Sequence, residues 1–276
     1  MWRLLEPIHA VTYFAPQSHE ALRATGLRGF WMAYFAARAA PLGAVDAPIV
    51  EATFFNFSER LVRRAIPDAW GFATPAQVLA ARWAGAARAL APHVAEVQAA
   101  DIERAGALLA SAMVDLNCDG RTLAAANHAV DGPDDAVAAL WQRTATLREH
   151  RGDGHVAALV AAGLTGLEAH LTLVGAGTIT REVLQGARGF TDEEWELAAD
   201  SLAGRGLLRQ DLTLSDEGTE LRRWIEDTTD KAAIAPWATL GDEGCDEVTT
   251  LLTGVSRSIS RAGVIPVLNP MGLPKP

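Results

Sequence analysis

Apolar residues recur at helical spacing along most of the chain, and the runs are cut by glycine, proline or a small polar residue where a helix has to end. The pattern predicts Ala-rich helices over 29–40, 76–91, 95–116, 135–149, 154–173, 192–204, 216–234 and 244–260. Strict alternation is scarce: Ala52 to Phe57 reads as extended, and Gly206 to Leu214 as the one two-stranded hairpin. A mainly α protein with one short β-hairpin follows.

The stretch Phe190 to Gly218 carries the most information. A helix closes on Arg205-Gly206-Leu207-Leu208, a turn returns through Leu212-Thr213-Leu214, and Ser215-Asp216-Glu217-Gly218 opens the next helix. Helix, small wing, helix is the order of a winged helix. Its groove-entering helix, however, carries Asp192, Glu193, Glu194, Glu196 and Asp200 with no Lys or Arg among them, a face that phosphates repel. An internal repeat is visible too. Gly29 to Gly43 aligns without gaps on Gly154 to Glu168, Ser58 to Ala65 on Thr180 to Ala187, and Phe72 to Leu90 on Phe190 to Leu208. Either Ala-rich helices align by composition, or the chain is a tandem of winged-helix-like repeats folded as a pseudo-dimer. The second account divides it into an aromatic-rich first repeat with a degenerate wing (1–94), linking helices (95–133), a second repeat (134–240) with its wing at 206–214, and a C-terminal helix and extended tail (241–276). In the first repeat the reader-equivalent helix, Thr74 to Leu90, carries Arg82 and Arg88 and is not acidic, so any DNA contact is expected there.

Composition narrows the partners. With 276 residues and 49% hydrophobic content the chain can bury a sizeable core, and a net charge of −10 argues against nucleic acid or an anionic membrane as the main partner. Two cysteines outside any Cys-x-x-Cys spacing suggest neither a disulfide framework nor a zinc site, and no apolar run reaches the ~18 residues of a membrane span; a cytoplasmic protein is expected. No metalloprotease, nucleophile-elbow, Walker or dinucleotide motif occurs.

Three groups of residues are candidates for chemistry. Helix 135–149 should close near His150, with Gly152 and Gly154 permitting a tight turn and His155 leading the next apolar helix. His155 then either ties a helix junction, with Arg151 and Asp153 fixing the loop, or serves as acid or base toward a ligand held by Arg151 as an anion clamp. Its repeat-equivalent is Phe30, an aromatic wall opposite an imidazole. His9 and Tyr13 lie four apart on one helical face, as cavity groups or as the edge of a docked amphipathic helix. Nine of the ten Phe and Tyr residues fall in the first 72 positions. As core or as pocket wall, Phe30, Trp31, Tyr34, Phe55 and Trp70, with Asn56 between two phenylalanines, would suit a planar ligand. His19, His93, His128 and His170 read as surface or loop residues. No metal site is expected, and the cofactor is unknown: one helical histidine, His155 or His9, would suffice to hold a haem, without positive support in the sequence.

Pro7 to Phe14, Tyr34 to Gly43, Phe55-Asn56-Phe57, Ala65 to Trp70, Leu147 to His155, and Ile225 to Asp230 with Pro236-Trp237 together resemble the actinobacterial helix-turn-helix proteins related to MarR-type regulators, over most of the chain. The resemblance implies a cavity for a small aromatic or phenolic ligand between dimerisation helices and winged domains. It specifies no reaction, because fold does not fix function. The expectation is a small-molecule-binding protein with its cavity between the repeats, taking a hydrophobic or aromatic metabolite and extending to acid–base chemistry on it, as a monomeric pseudo-dimer or homodimer. The alternative is a ligand-responsive MarR-type transcriptional regulator.

Overall fold

A computed structural model of the protein describes residues 1–271. Fourteen α-helices occur among the described residues: α1 (Trp2–Phe14), α2 (Pro16–Ala24), α3 (Gly29–Ala39), α4 (Ala47–Phe54), α5 (Glu59–Arg63), α6 (Pro75–Val94), α7 (Ala99–Ala112), α8 (Thr122–Ala129), α9 (Ala136–Ala161), α10 (Gly166–Gly175), α11 (Arg181–Arg188), α12 (Asp192–Gly204), α13 (Asp216–Ala233) and α14 (Ala235–Arg261). Among these residues no single helix is long and apolar enough to cross a membrane.

The apolar faces meet in three cores. Helices α1, α6, α7, α9 and α14 close the first around Ile8, Leu90, Leu109, Leu140, Trp141 and Leu252. A second gathers Phe35, Val50, Val62, Ile66, Val78 and Leu123 from α3–α6, α8 and the loop after α5. Leu159 at the end of α9 joins Leu171, Leu184, Trp195, Leu202 and Ile225 in the third. Helix α9 thus runs from the first core into the third, and the space beside its middle is bounded by all three groups of helices.

Several local expectations change. No turn interrupts residues 150–154: α9 is continuous through them. Gly154 answers a crossing side chain rather than a bend. A Cβ on Gly154 would lie 2.7 Å from Arg121 Nη1, and that guanidinium donates to the carbonyls of His150 and Ala232 across the helix face. Asp153 accepts the Ala124 N–H at 2.9 Å and so caps the first turn of α8. The helix expected over 154–173 breaks instead after Ala161 and restarts at Gly166, where Thr165 and Glu168 form a reciprocal capping box. Residues 52–54 belong to α4, not to a strand. The hairpin at 206–214 shrinks to one antiparallel bridge, Leu208 with Leu214, because the Asp211 carboxylate takes both the N–H and the hydroxyl of Thr213 and closes the turn tightly. Helix α14 starts earlier than expected and contains a break at Gly241 (φ +74°). Of the C-terminal helix and extended tail expected over 241–276, the helix runs to Arg261 as the end of α14, positions 262–271 form turns and bends, and the last five lie outside the described residues.

Two surface expectations divide. On α12, Asp192, Glu193, Glu194, Glu196 and Asp200 are all exposed, while Trp195, Ala199 and Leu202 face the core. On α6, by contrast, Arg82 is 5% exposed, donates to the Ala37 carbonyl, Asn127 and Gln142, and so is not on a surface that DNA could touch. Arg88 is exposed and paired with Glu20 at 2.9 Å.

Candidate functional site

Two chambers share one aromatic partition beside α9. The inner one, about 270 Å³, lies among α1, α2, α3, α6 and α9 and is lined by His9, Tyr13, His19, Tyr34, Arg82, Trp141 and Glu149 among others. The outer one, about 260 Å³, is walled by Phe14, Trp31, Phe54 and Phe57, with Asn56, Arg148, Gly152, His155, Arg188 and the tail residues Pro270 and Met271. Tyr13, Phe30, Tyr34 and Arg38 line both. Each volume falls just below the roughly 300–1,000 Å³ of drug-sized ligand pockets, which suits a small ligand. The sequence builds the partition simply: Phe30, Trp31 and Tyr34 on α3 and His9 and Tyr13 on α1 put rings one helical turn apart on facing helices. Tyr13 and Tyr34 pack at 5.3 Å between ring centroids, and Phe30 stacks on Tyr34 at 6.1 Å.

Under the partition lies a buried ionic cluster. Arg38 makes a bidentate pair with Glu149, both bonds 3.0 Å, and Arg148 Nη1 adds a third bond to the same carboxylate at 2.8 Å. Burial pushes the Glu149 carboxyl up, but Arg148 and Arg38 outweigh it and hold the group well below the usual carboxylate range. Glu6 stands 3.8 Å from Arg148 Nε and 3.9 Å from His9 Nδ1, too far for a hydrogen bond to either. Glu6 Oε2 and His9 Nδ1 are out of solvent and without partners. Burial lowers the His9 pKa against the opposing pull of Glu6, and burial raises that of the Tyr13 phenol. His9 stacks on Trp141 at 5.7 Å, so the neutral ring has an apolar seat.

At the far wall of the outer chamber, His155 is oriented by α13. Its Nδ1 lies 2.9 Å from Thr229 Oγ1, and that hydroxyl already donates to the Ile225 carbonyl. With the hydroxyl proton committed, Nδ1 must be the donor, which leaves Nε2 as a lone-pair nitrogen of a ring lining the chamber. Burial, helped by Arg151, Arg222 and Arg148 against the pull of Glu226, lowers the His155 pKa to about 4, so the ring is neutral near pH 7.

The structure brings His9, Tyr13, Phe30, Trp31, Tyr34, Asn56 and His155 to the two chambers. Three candidates lie elsewhere. Arg151 pairs with Asp230 at 3.0 Å and Glu226 at 3.5 Å and covers the Trp2 ring. The reason is the unbroken α9: Arg148, Gly152 and His155 follow helical spacing onto the chamber face, and Arg151 turns toward α13. Phe55, with φ +59°, lies in a separate surface groove between α4 and α10, its carbonyl resting where a Cβ on Gly166 would be at 2.0 Å. Trp70 is half-buried and gives its Nε1–H to the Val45 carbonyl. His170, read as a surface residue, is 2% exposed and donates Nε2–H to the Asn56 carbonyl. What sequence reasoning missed is the set of cluster residues, Glu6, Arg38, Arg148, Glu149 and Arg188. A charged residue on an Ala-rich apolar helix, as Arg38 is on α3, was the one available signal. Among the described residues no group of three or more His, Cys, Asp or Glu could hold a metal ion.

Residues 1–266 match the model of a helix-turn-helix family, so the chain belongs to that family. No curated protein and no solved structure matches the chain.

Proposed function

We propose, from this family membership and the paired chambers, that the protein binds a small planar hydrophobic or aromatic metabolite and that DNA reading is not its main activity. The observation that carries the reading is the aromatic space beside α9, with the His9 ring on the wall of the inner chamber and the His155 ring, its Nε2 free as an acceptor, on the wall of the outer one. Acid–base turnover is an extension of it: two neutral imidazoles stand ready to accept a proton from a ligand in hydrogen-bond reach. The setting we assign is the cytoplasm, which the two unpaired cysteines suit.

Descent from a MarR-like pseudo-dimer is part of the proposal. In its support, α3 to α6 and α9 to α12 run in the same order, and Thr74 with Gln77 and Thr191 with Glu194 form capping boxes at corresponding helix starts. The regulator remains the second reading because the family is a helix-turn-helix family, although Arg82 is inside and the α12 carboxylates are outside.

Calorimetric titration with neutral planar compounds of the size of 2-naphthamide should give saturable binding at one site per chain, weakened at least tenfold by Tyr34→Ala in a variant whose helical circular dichroism is intact. Absence of saturable binding across such a series and its carboxylate and phosphate counterparts defeats the ligand reading. Nanomolar, sequence-dependent gel retardation of duplex DNA at physiological salt promotes the regulator instead.

A further inference from the structure

The outer chamber has more positive charge than its own carboxylates neutralise. Arg38 and Arg148 already share Glu149, with Glu6 at the margin. Arg188, at the end of α11, is the third guanidinium on that chamber, and among the described residues no carboxylate pairs with it. Its Nη2 donates to the Pro270 carbonyl at 3.0 Å, its Cζ lies 4.5 Å from the Phe57 ring centroid, and its Nε is out of solvent with no hydrogen-bond partner among the described residues. Burial lowers its pKa, and the nearby charges of Arg38 and Arg148 lower it further. A guanidinium placed like this costs stability unless an anion completes it.

Neither its aromatic contact nor an ion pair within the protein accounts for it. Stacking on Phe57 uses the face of the guanidinium and leaves the Nε–H in its plane unmet. Pairing within the protein would need a carboxylate on the chamber wall, and among the described residues that wall includes none. Aromatic walls beside an unpaired fork-shaped donor match a flat apolar body carrying a carboxylate or phosphate-type oxyanion, because an oxyanion accepts two parallel N–H bonds from Arg and a neutral group does not.

We infer that the ligand of the outer chamber is an aromatic or similarly planar anion whose charged head docks on Arg188, with the ring system against Trp31, Tyr34 and Phe57. The inference rests on the ligand-binding reading above and deepens it. It also moves the anion clamp from Arg151, whose charge is taken by Asp230 and Glu226, to a residue that nothing in the sequence pattern marked.

The test compares isosteric probes on the full chain by calorimetry: 2-naphthoate, 2-naphthamide and 2-naphthyl phosphate. Wild-type protein should bind the carboxylate or the phosphate at least tenfold more tightly than the amide, and whichever of the two is tighter identifies the head group. In Arg188→Met the preference should fall to about onefold while the amide's affinity stays within about threefold. Arg188→Lys, which keeps the charge and serves if the Met variant does not fold, should retain part of the preference. Equal affinity for anion and amide in the wild type overturns the anion assignment, and a preference that survives Arg188→Met overturns the docking of the head group on Arg188; either leaves the ligand reading standing. Binding of none of the three overturns both.

Discussion

The carboxylate of Glu149 is where most of the buried charge in this protein converges. Its side chain is 4% exposed and Arg38 is 12% exposed, so water screens their contact poorly. Removing the carboxylate leaves two guanidiniums of which, among the described residues, only Arg148 has another carboxylate near it, Glu6 at 3.8 Å, whereas removing Arg38 leaves Glu149 still bonded to Arg148. Glu149→Gln should therefore cost roughly 3–5 kcal/mol in urea denaturation, and Arg38→Met clearly less. Equal losses in the two variants would show that the cluster is not centred on Glu149. At this scale the sequence was partly legible. His9 and Tyr13 do share a face, with ring centroids 5.2 Å apart, because helical periodicity guarantees it. The Arg38 to Glu149 contact joins positions 111 apart, and no local pattern encodes such a meeting. Arg151 was the more conspicuous candidate only because it sits in a motif-like run.

Among the elements, α9 shows why punctuation misled. Gly-Asp-Gly reads as a turn when glycine is assumed to serve backbone freedom, yet here the helix continues: Asp153 and Gly154 serve what packs across it, and Gly152 meets only side chains of its own helix. The two glycines then make opposite predictions. A Cβ on Gly152 meets Glu149 Oε2 at 3.5 Å and Arg148 Nη1 at 3.7 Å, ordinary contacts, so Gly152→Ala should stabilise by about 0.5–1 kcal/mol through helix propensity. Gly154→Ala puts a methyl group 2.7 Å from Arg121 Nη1, displacing the guanidinium from the His150 and Ala232 carbonyls and outweighing the propensity gain. It should destabilise, by about 1–3 kcal/mol for the lost charged hydrogen bonds. Thermal melts in which both alanines stabilise would mean that Arg121 does not hold this face. The break after Ala161, by contrast, could have been read, since Thr165-Gly166-Leu167-Glu168 has the capping-box spacing; the apolar run on either side hid it.

Taken as a whole, the molecule keeps cations inside an acidic exterior. A net charge of −10 is a sum over the chain, so it could not reveal that Arg38, Arg82, Arg148 and Arg188 surround the chambers. Mainly α architecture was legible because periodicity is local, whereas the three cores and the cavity between them depend on which distant faces meet. The same interior sets the response to acid. Burial lowers the pKa of His150 to about 4, that of His155 to about 4 and that of His170 to about 3, from an ordinary 6.5. Between those values and 6.5 the unfolded chain binds protons that the folded protein refuses, so this stability is complete above about pH 6.5 and is lost as pH falls. Asp153, which burial raises to about 6, acts in the opposite sense, but one carboxyl faces three imidazoles. Glu6 and Glu149, both held low, add to the loss once pH drops below the ordinary carboxylate value of 4.5. The melting temperature should accordingly be flat from about pH 8 to 7 and fall steadily from about 6.5 to 4.5, and His170→Gln, which can still donate to the Asn56 carbonyl, should make that fall shallower. A melting temperature that holds or rises on acidification through this window would mean that these histidines are protonated in the folded protein, and the neutral His155 assigned to the outer chamber would go with them.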